Sequence, residues 1–505
     1  MKKNLYFSIY AFSILLLTSI RCCSLGGFSG ILFFMLALLA CIFAPTINKA
    51  ITNYNCKPPA NTSQIKIFIT FIFISFLFLL FWFLGGFPGS FSPDSINQYV
   101  QAIHGKYNDW HPVLHTLLFF YLPLKIINNI ESIVLFQITV FSIFFGYMEY
   151  VIYRYAGIKY ACISAIFLLL SPFTLNILMH PWKDVAFAMS ATMCILYSIH
   201  IYQSNNEWTE EKVNLLQLSL MIALSTIFRH NGILFSLPLL VIFYVMLPKK
   251  KWLIIFTTSI LMIGLIKGPL YSYLDVSKPQ ERVTETTGFP LSIILNVAKE
   301  CPTCLDSQTT DFVNRLTLIQ PNWKTNHDIV GFNSVKFKNV NTTIIEESGI
   351  LNIFKMAASC MITAPKPSLL AIFGLTAQVY TLNEEGIIGQ GTHPNRYGIS
   401  WNGNSIIYNA ETKYTYFLQR CMLTYIFCSI GFCLLLIVSF AIFKLNLKAK
   451  SDRKKIFLCI PLFSYTIGTT LLLSGPDIRF FYITYLATPA IILLLSVKRR
   501  DSPND

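Results

Sequence analysis

The chain has 505 residues, 54% of them hydrophobic and only 12% charged, with 43 phenylalanines. No ordinary soluble domain tolerates that balance, so the expectation is a polytopic membrane protein. The net charge of +15 is not a nucleic-acid signal, because residues 271–415 hold 11 Lys/Arg against 12 Asp/Glu and the surplus lies between apolar runs elsewhere.

In chain order, Met1-Lys2-Lys3 precedes a first apolar run at 5–20. It has the look of a signal peptide, but Arg21-Cys22-Cys23 is not a small-residue cleavage site, so the run is read as a retained span. Further runs follow at 29–46, 65–85, 113–128, 132–153, 159–178, 185–202, 213–228, 231–247, 252–270, 416–443, 455–473 and 480–496. If all of them cross, Lys249–Lys251 and the basic stretch 444–455 fall outside, against the positive-inside rule. Laying 113–128 along the membrane surface repairs every later loop and also places Arg154 and Lys159 inside. The expected fold is therefore an all-α polytopic membrane bundle of about 12 transmembrane helices with both termini cytoplasmic. It divides into an N-terminal module at 1–270 with outer loops at 86–130 and 179–184, a small mixed extracytoplasmic domain at 271–415, and C-terminal helices at 416–505. There is no internal repeat. Cys301-Pro-Thr-Cys304 permits a local disulfide, and no second cysteine pair follows to complete a zinc site.

The ionisable groups that remain beside the hydrocarbon region all fall on the outer side under this count, and such groups are costly to keep there without a use. Asp94, with Asn97 and Gln98 on the next turn, follows directly on a span and is read either as a helix N-cap or as a reactive or metal-binding carboxylate. Asp109-Trp-His111-Pro-Val-Leu-His115 puts two histidines four apart, one helix face, without the glutamate of a zinc signature. Trp182-Lys183-Asp184 opens a span with opposite charges side by side. Arg229-His230-Asn231-Gly232 and Asp477-Ile-Arg479-Phe-Phe-Tyr482 interrupt apolar runs and require polar partners. Cations suit a phosphate leaving group, arginine in bidentate fashion, and a carboxylate suits the proton of an attacking hydroxyl.

Asp94-Ser-Ile-Asn-Gln-Tyr, Asn108-Asp-Trp-His-Pro-Val-Leu-His-Thr116, His180-Pro-Trp-Lys-Asp184, Arg229-His-Asn-Gly232 and Asp477-Ile-Arg-Phe-Phe-Tyr482 resemble segments of the GT-C superfamily of integral-membrane glycosyltransferases, in particular a bacterial multi-span group assigned to it. The resemblance implies an enzyme of the bacterial inner membrane with its active site facing the periplasm. It would move a sugar from a polyprenyl-phosphate or diphosphate donor to a cell-envelope glycan or glycolipid, lipopolysaccharide O-antigen among the options. Asp94 and Asp184 would match the catalytic carboxylates and the ligands of a divalent cation, Mg2+ or Mn2+. Lys183, Arg229 and Arg479 would hold the donor phosphate. Asn97, Gln98, His111, His115, His230, Asn231, Asp477 and Tyr482 would contact substrate. Two other readings stay open: an O-antigen-type polysaccharide polymerase, which would rest on the arginines without Asp94, and a lipid-linked sugar transporter or flippase, for which broken helices at mid-membrane and often repeated halves would be the signs.

Overall fold

In hydrocarbon a chain segment must satisfy its own backbone N–H and C=O groups, and a helix does so within one segment. The computed structural model describes residues 61–278, 282–316, 331–336, 340–445 and 450–497. The expected spans at 5–20 and 29–46 lie outside them, as do Lys2, Lys3, Lys49 and Lys57. Every regular element among the described residues is a helix, and the one β-type pairing is an isolated bridge between Asn108 and Ser277. Five helices are long and apolar enough to cross a membrane, or up to seven if each of two bent pairs counts as one crossing. The described residues form two units, the first within 61–277, 381–465 and 479–497, the second within 278–380 and 466–478.

In the first unit, α1 (Asn61–Gly85) leads to α2 (Pro93–His104) and α3 (Val113–Ile126). The last, with a π-helical turn at Leu117–Tyr121 and Pro123 just after it, is about 21 Å long, too short for a core of about 30 Å. Charge placement expects this segment not to cross, but its length does not set it apart from the short apolar helices at Lys212–Ile227, His230–Met246 and Ile430–Ile442. Next come α4 (Glu131–Ala156), α5 (Ile158–Leu169) and α6 (Pro172–Leu178). The run expected as one span at 159–178 bends by 63° between α5 and α6. There Ser171 accepts from the amides of Phe173 and Thr174 and Pro172 opens the new helix. Helix α7 (Lys183–Gln203) is buried along nearly its whole length, against α8 (Lys212–Ile227) and the last helix, Tyr482–Ser496. After α8, the turn at Phe228–Gly232 brings residue 232 against the Ser225 carbonyl so closely that only glycine fits. Helix α9 (Ile233–Met246) follows, then α10 (Lys249–Tyr273). Helices α8 and α9, expected to cross, have 16 and 14 residues. Helix α10 exposes Leu253, Leu261 and Leu265 along its length, as a lipid-facing helix does.

Every regular element in the segment expected as a mixed outer domain is a helix, with no strand among its described residues, and residues 381–404 are turns and irregular chain. Residues 381–415 group with the first unit. The second unit contains α11 (Gly288–Glu300), α12 (Ser307–Leu316), α13 (Thr342–Thr363) and α14 (Pro365–Tyr380). Leu291, Ile294, Leu295 and Ala298 recur at helical spacing on α11 and pack with Phe312, Val313, Ile353, Met356 and Cys360 in one core. Cys301 and Cys304 form a disulfide with Cα atoms 5.4 Å apart.

Back in the first unit, the run 416–443 is divided between α15 (Ser405–Arg420) and α16 (Ile430–Leu445). Between them Met422 adopts a left-handed conformation, and Ser429 restarts the chain by accepting from the Phe432 amide. The chain ends in α17 (Ile460–Thr470) and α18 (Tyr482–Ser496).

Candidate functional site

Asp94 reaches its place through a loop fixed on both sides. Ser90 donates its amide to Met179 O at 2.8 Å, Gly391 donates to Ser90 Oγ at 3.1 Å, and His393 donates to Phe91 O at 2.9 Å. Ser92, rather than Asp94, caps α2: it accepts from the Ser95 amide, Pro93 takes the first helical position, and Trp182 Nε1 donates to Ser92 Oγ at 2.8 Å. Asp94 therefore sits in the first turn, where the helix dipole favours an anion and its side chain is free of capping duty. Behind the loop, Gln390 Nε2 donates to Asn176 Oδ1 at 3.0 Å and approaches Glu411 Oε2 at 3.5 Å. A Cβ at Gly85 or Gly86 would collide with the Glu411 carboxyl or the Gln390 amide. Burial pushes the Glu411 carboxyl up to about 8.

Three groups from three other segments gather around Asp94. Arg479 donates to Asp94 Oδ2 at 2.9 Å, and His111 Nε2 lies 4.0 Å from Oδ1. Lys183 Nζ is 2.9 Å from His111 Nδ1. An ammonium has only protons to offer, so Nδ1 accepts and the imidazole proton is on Nε2, facing the carboxylate. The Arg479 guanidinium lies over the Trp182 ring, 4.7 Å from its centroid. Asp94 keeps 30% of its side chain exposed and Arg479 16%, so the pair is open to a ligand. Burial raises the Asp94 pKa, but the charges of Arg479 and Lys183 outweigh it and hold the carboxyl below the ordinary range. Burial and then Lys183 lower His111 well below its usual value, so it is neutral.

Asp184 and Arg229, also expected in the site, form an ion pair with each other, and both are buried. Arg229 Nε donates to Asn231 Oδ1 at 2.9 Å, and its guanidinium stacks over Phe480. This pair ties the start of α7 to the turn between α8 and α9. His115 Nδ1 donates to Gln98 Oε1 at 2.7 Å while Nε2 has no partner, and burial pushes it down to about 3. Asn97 accepts from Gln101 at 2.7 Å. Tyr482 is fully buried beside Phe173, within the packing of the spans. Asp477 is half-buried in the second unit. His230 donates to Asp109 O at 3.0 Å.

The donor set does not fit a divalent cation shared by Asp94 and Asp184. Each carboxylate is bonded to its own arginine, Asp94 also has Lys183 nearby, and no three His, Cys, Asp or Glu side chains converge among the described residues. Sequence reasoning gave no role to Asp109, Lys267 or Tyr271. Tyr271 donates to Asp109 Oδ1 at 2.9 Å, and Lys267 lies 4.0 Å from Oδ2. Asp109 stands in the quoted histidine motif and Lys267 near the end of an apolar run, but neither spacing nor composition pairs them. The charge-bearing turns at 94, 111, 183, 229 and 479 thus come to one end of the first unit. Lys251 pairs with Glu210 at the other, where Tyr147 and Tyr155 bond the two ring nitrogens of His200. No family model matches the chain, and no curated protein and no solved structure matches it either.

Proposed function

We propose that the protein is a membrane glycosyltransferase of the GT-C type, which moves a sugar from a polyprenyl-phosphate or diphosphate carrier to a hydroxyl of a cell-envelope glycan or glycolipid. The observation that carries this reading is the half-open Asp94–Arg479 pair, flanked by neutral His111 and by Lys183. While bonded to Arg479, Asp94 is a weak base. A donor phosphate offers the guanidinium a stronger bidentate partner and draws it away, which raises the basicity of Asp94 when substrate is present. The acceptor oxygen then attacks the anomeric carbon and its proton passes to Asp94. The sugar–phosphate C–O bond breaks, and the phosphate leaves with the electron pair, stabilised by Arg479 and Lys183. Asp184 is enclosed with Arg229, which favours one displacement with inversion over a two-step route through a carboxylate nucleophile. The reading places the site on the periplasmic side of the bacterial inner membrane, and its mechanism routes no step through a metal.

The test is sugar transfer from a polyprenyl-linked donor by purified protein. Asp94→Asn should cut turnover by about 100- to 10,000-fold while donor binding holds, because Ser92 still caps the helix and Arg479 still meets the phosphate. Arg479→Ala should weaken donor binding, with Arg479→Lys intermediate. Near-normal turnover by Asp94→Asn would overturn the proposal and favour the polymerase reading, which needs arginines but not this carboxylate.

A further inference from the structure

Helices α13 and α14 of the second unit carry two opposed apolar surfaces where an ordinary domain helix carries one. On α13, Ile353, Met356, Ala357 and Cys360 point into the core. With about 100° between successive residues, Leu351 and Ile362 fall opposite that face and Phe354 and Met361 on its flank. All four are exposed, Ile362 by 82%. The chain turns by 119° between Thr363 and Pro365, and α14 repeats the pattern with Leu369 and Leu370 exposed and Ala371 and Leu375 buried. Cys360 O accepts from the Ala364 amide and from Ser368 Oγ at 3.1 Å, and Asn296 Nδ2 donates to Pro367 O at 2.7 Å, so the elbow is a built turn and not a frayed end.

We infer that this elbow is a bilayer-docking device: its outer face seats Ile362, Leu369 and Leu370 among the acyl chains just below the headgroups, with Lys355 and Lys366 on anionic lipid phosphates. Charge selects this occupant. Residues 348–383 contain no Asp or Glu, and their charged residues are Lys355 and Lys366, both exposed. A lysine near the tip suits shallow seating, in which its stem lies along the apolar layer and its ammonium reaches the phosphates. The same chain holds five helices of crossing length, so a bilayer is always at hand. The inference goes beyond the transferase reading and does not depend on it.

The experiment uses the full chain in proteoliposomes containing phosphatidylglycerol, with an environment-sensitive fluorescent amino acid at Ile362 or Leu370, and at exposed Glu347 as control. Both apolar positions are exposed, so the substitution disturbs no core. Acyl-chain nitroxide lipids should quench 362 and 370 several-fold more than aqueous iodide does, with the order reversed at 347. Stronger quenching by iodide at 362 would show a solvated face, and protection from both quenchers would show a protein partner; either overturns the proposal. Lys355→Glu combined with Lys366→Glu should reduce the acyl quenching at 362, and an unchanged value would overturn the lipid-phosphate contacts.

Discussion

Asp94 and Asp184 each meet an arginine, yet the two pairs should answer mutation in opposite ways. The Asp184–Arg229 pair is buried, so Arg229→Ala leaves an uncompensated carboxylate and should cost about 3–5 kcal/mol of stability. Asp184→Asn with Arg229→Gln should recover part of that loss. The measurement is thermal unfolding in detergent, with Asp94→Asn as the comparison that shifts little. A stable Arg229→Ala protein with weakened donor binding would instead make Arg229 a phosphate ligand. The charged residues themselves were legible in the sequence, because an ionisable group beside an apolar run has few bland explanations. Their pairing was not. Nothing in sequence spacing says that Arg479 reaches back to Asp94 while Arg229 turns to Asp184, and the tautomer of His111 follows only from the position of Lys183.

At the level of elements, the loop before α2 depends on a buried carboxyl that belongs to α15. Glu411 takes its proton more readily in the folded protein than in the unfolded chain, so the folded state binds more protons between about 4.5 and about 8. Stability should therefore fall as pH rises through that window and level off above it. Unfolding midpoints in detergent at about pH 5 and about pH 8.5 would show the drop, and Glu411→Gln should flatten it. An equal slope in both proteins would assign the dependence to other groups. The long spans were readable as apolar runs, whereas length does not separate α3 from α9, each of 14 residues, and loop charge alone argues that α3 lies flat. The breaks inside runs were harder to see. Ser171-Pro172 is a capping signal within an apolar stretch, and apolarity alone hides it. The α13–α14 elbow escaped because neither leg is a long unbroken run and Lys366 and Pro367 read as loop.

Across the whole first unit, charge and geometry agree on two ends. Residues 204–211 meet 246–251 through Lys251–Glu210 and through Asn206 on Met246 O, and the Asp94 cluster occupies the opposite ends of α7 and α10. A membrane-impermeant thiol reagent should label Asn97→Cys in sealed vesicles of native orientation, and Glu207→Cys and Lys250→Cys only after the vesicles are opened. Labelling at 250 before opening would invert or break the crossing order. Enclosure of α7 also bears on how the molecule is made. That helix packs against α18, which leaves the ribosome roughly 280 residues after it, a wait of about 15–60 s at ordinary elongation rates. Throughout that interval α7 lacks its last neighbour, although Ser190 and Ser198 bond carbonyls of their own helix and His200 bonds Tyr147 and Tyr155 of α4. The order of synthesis thus runs against the order of burial, and the flank of α7 that α18 covers is the last to be enclosed.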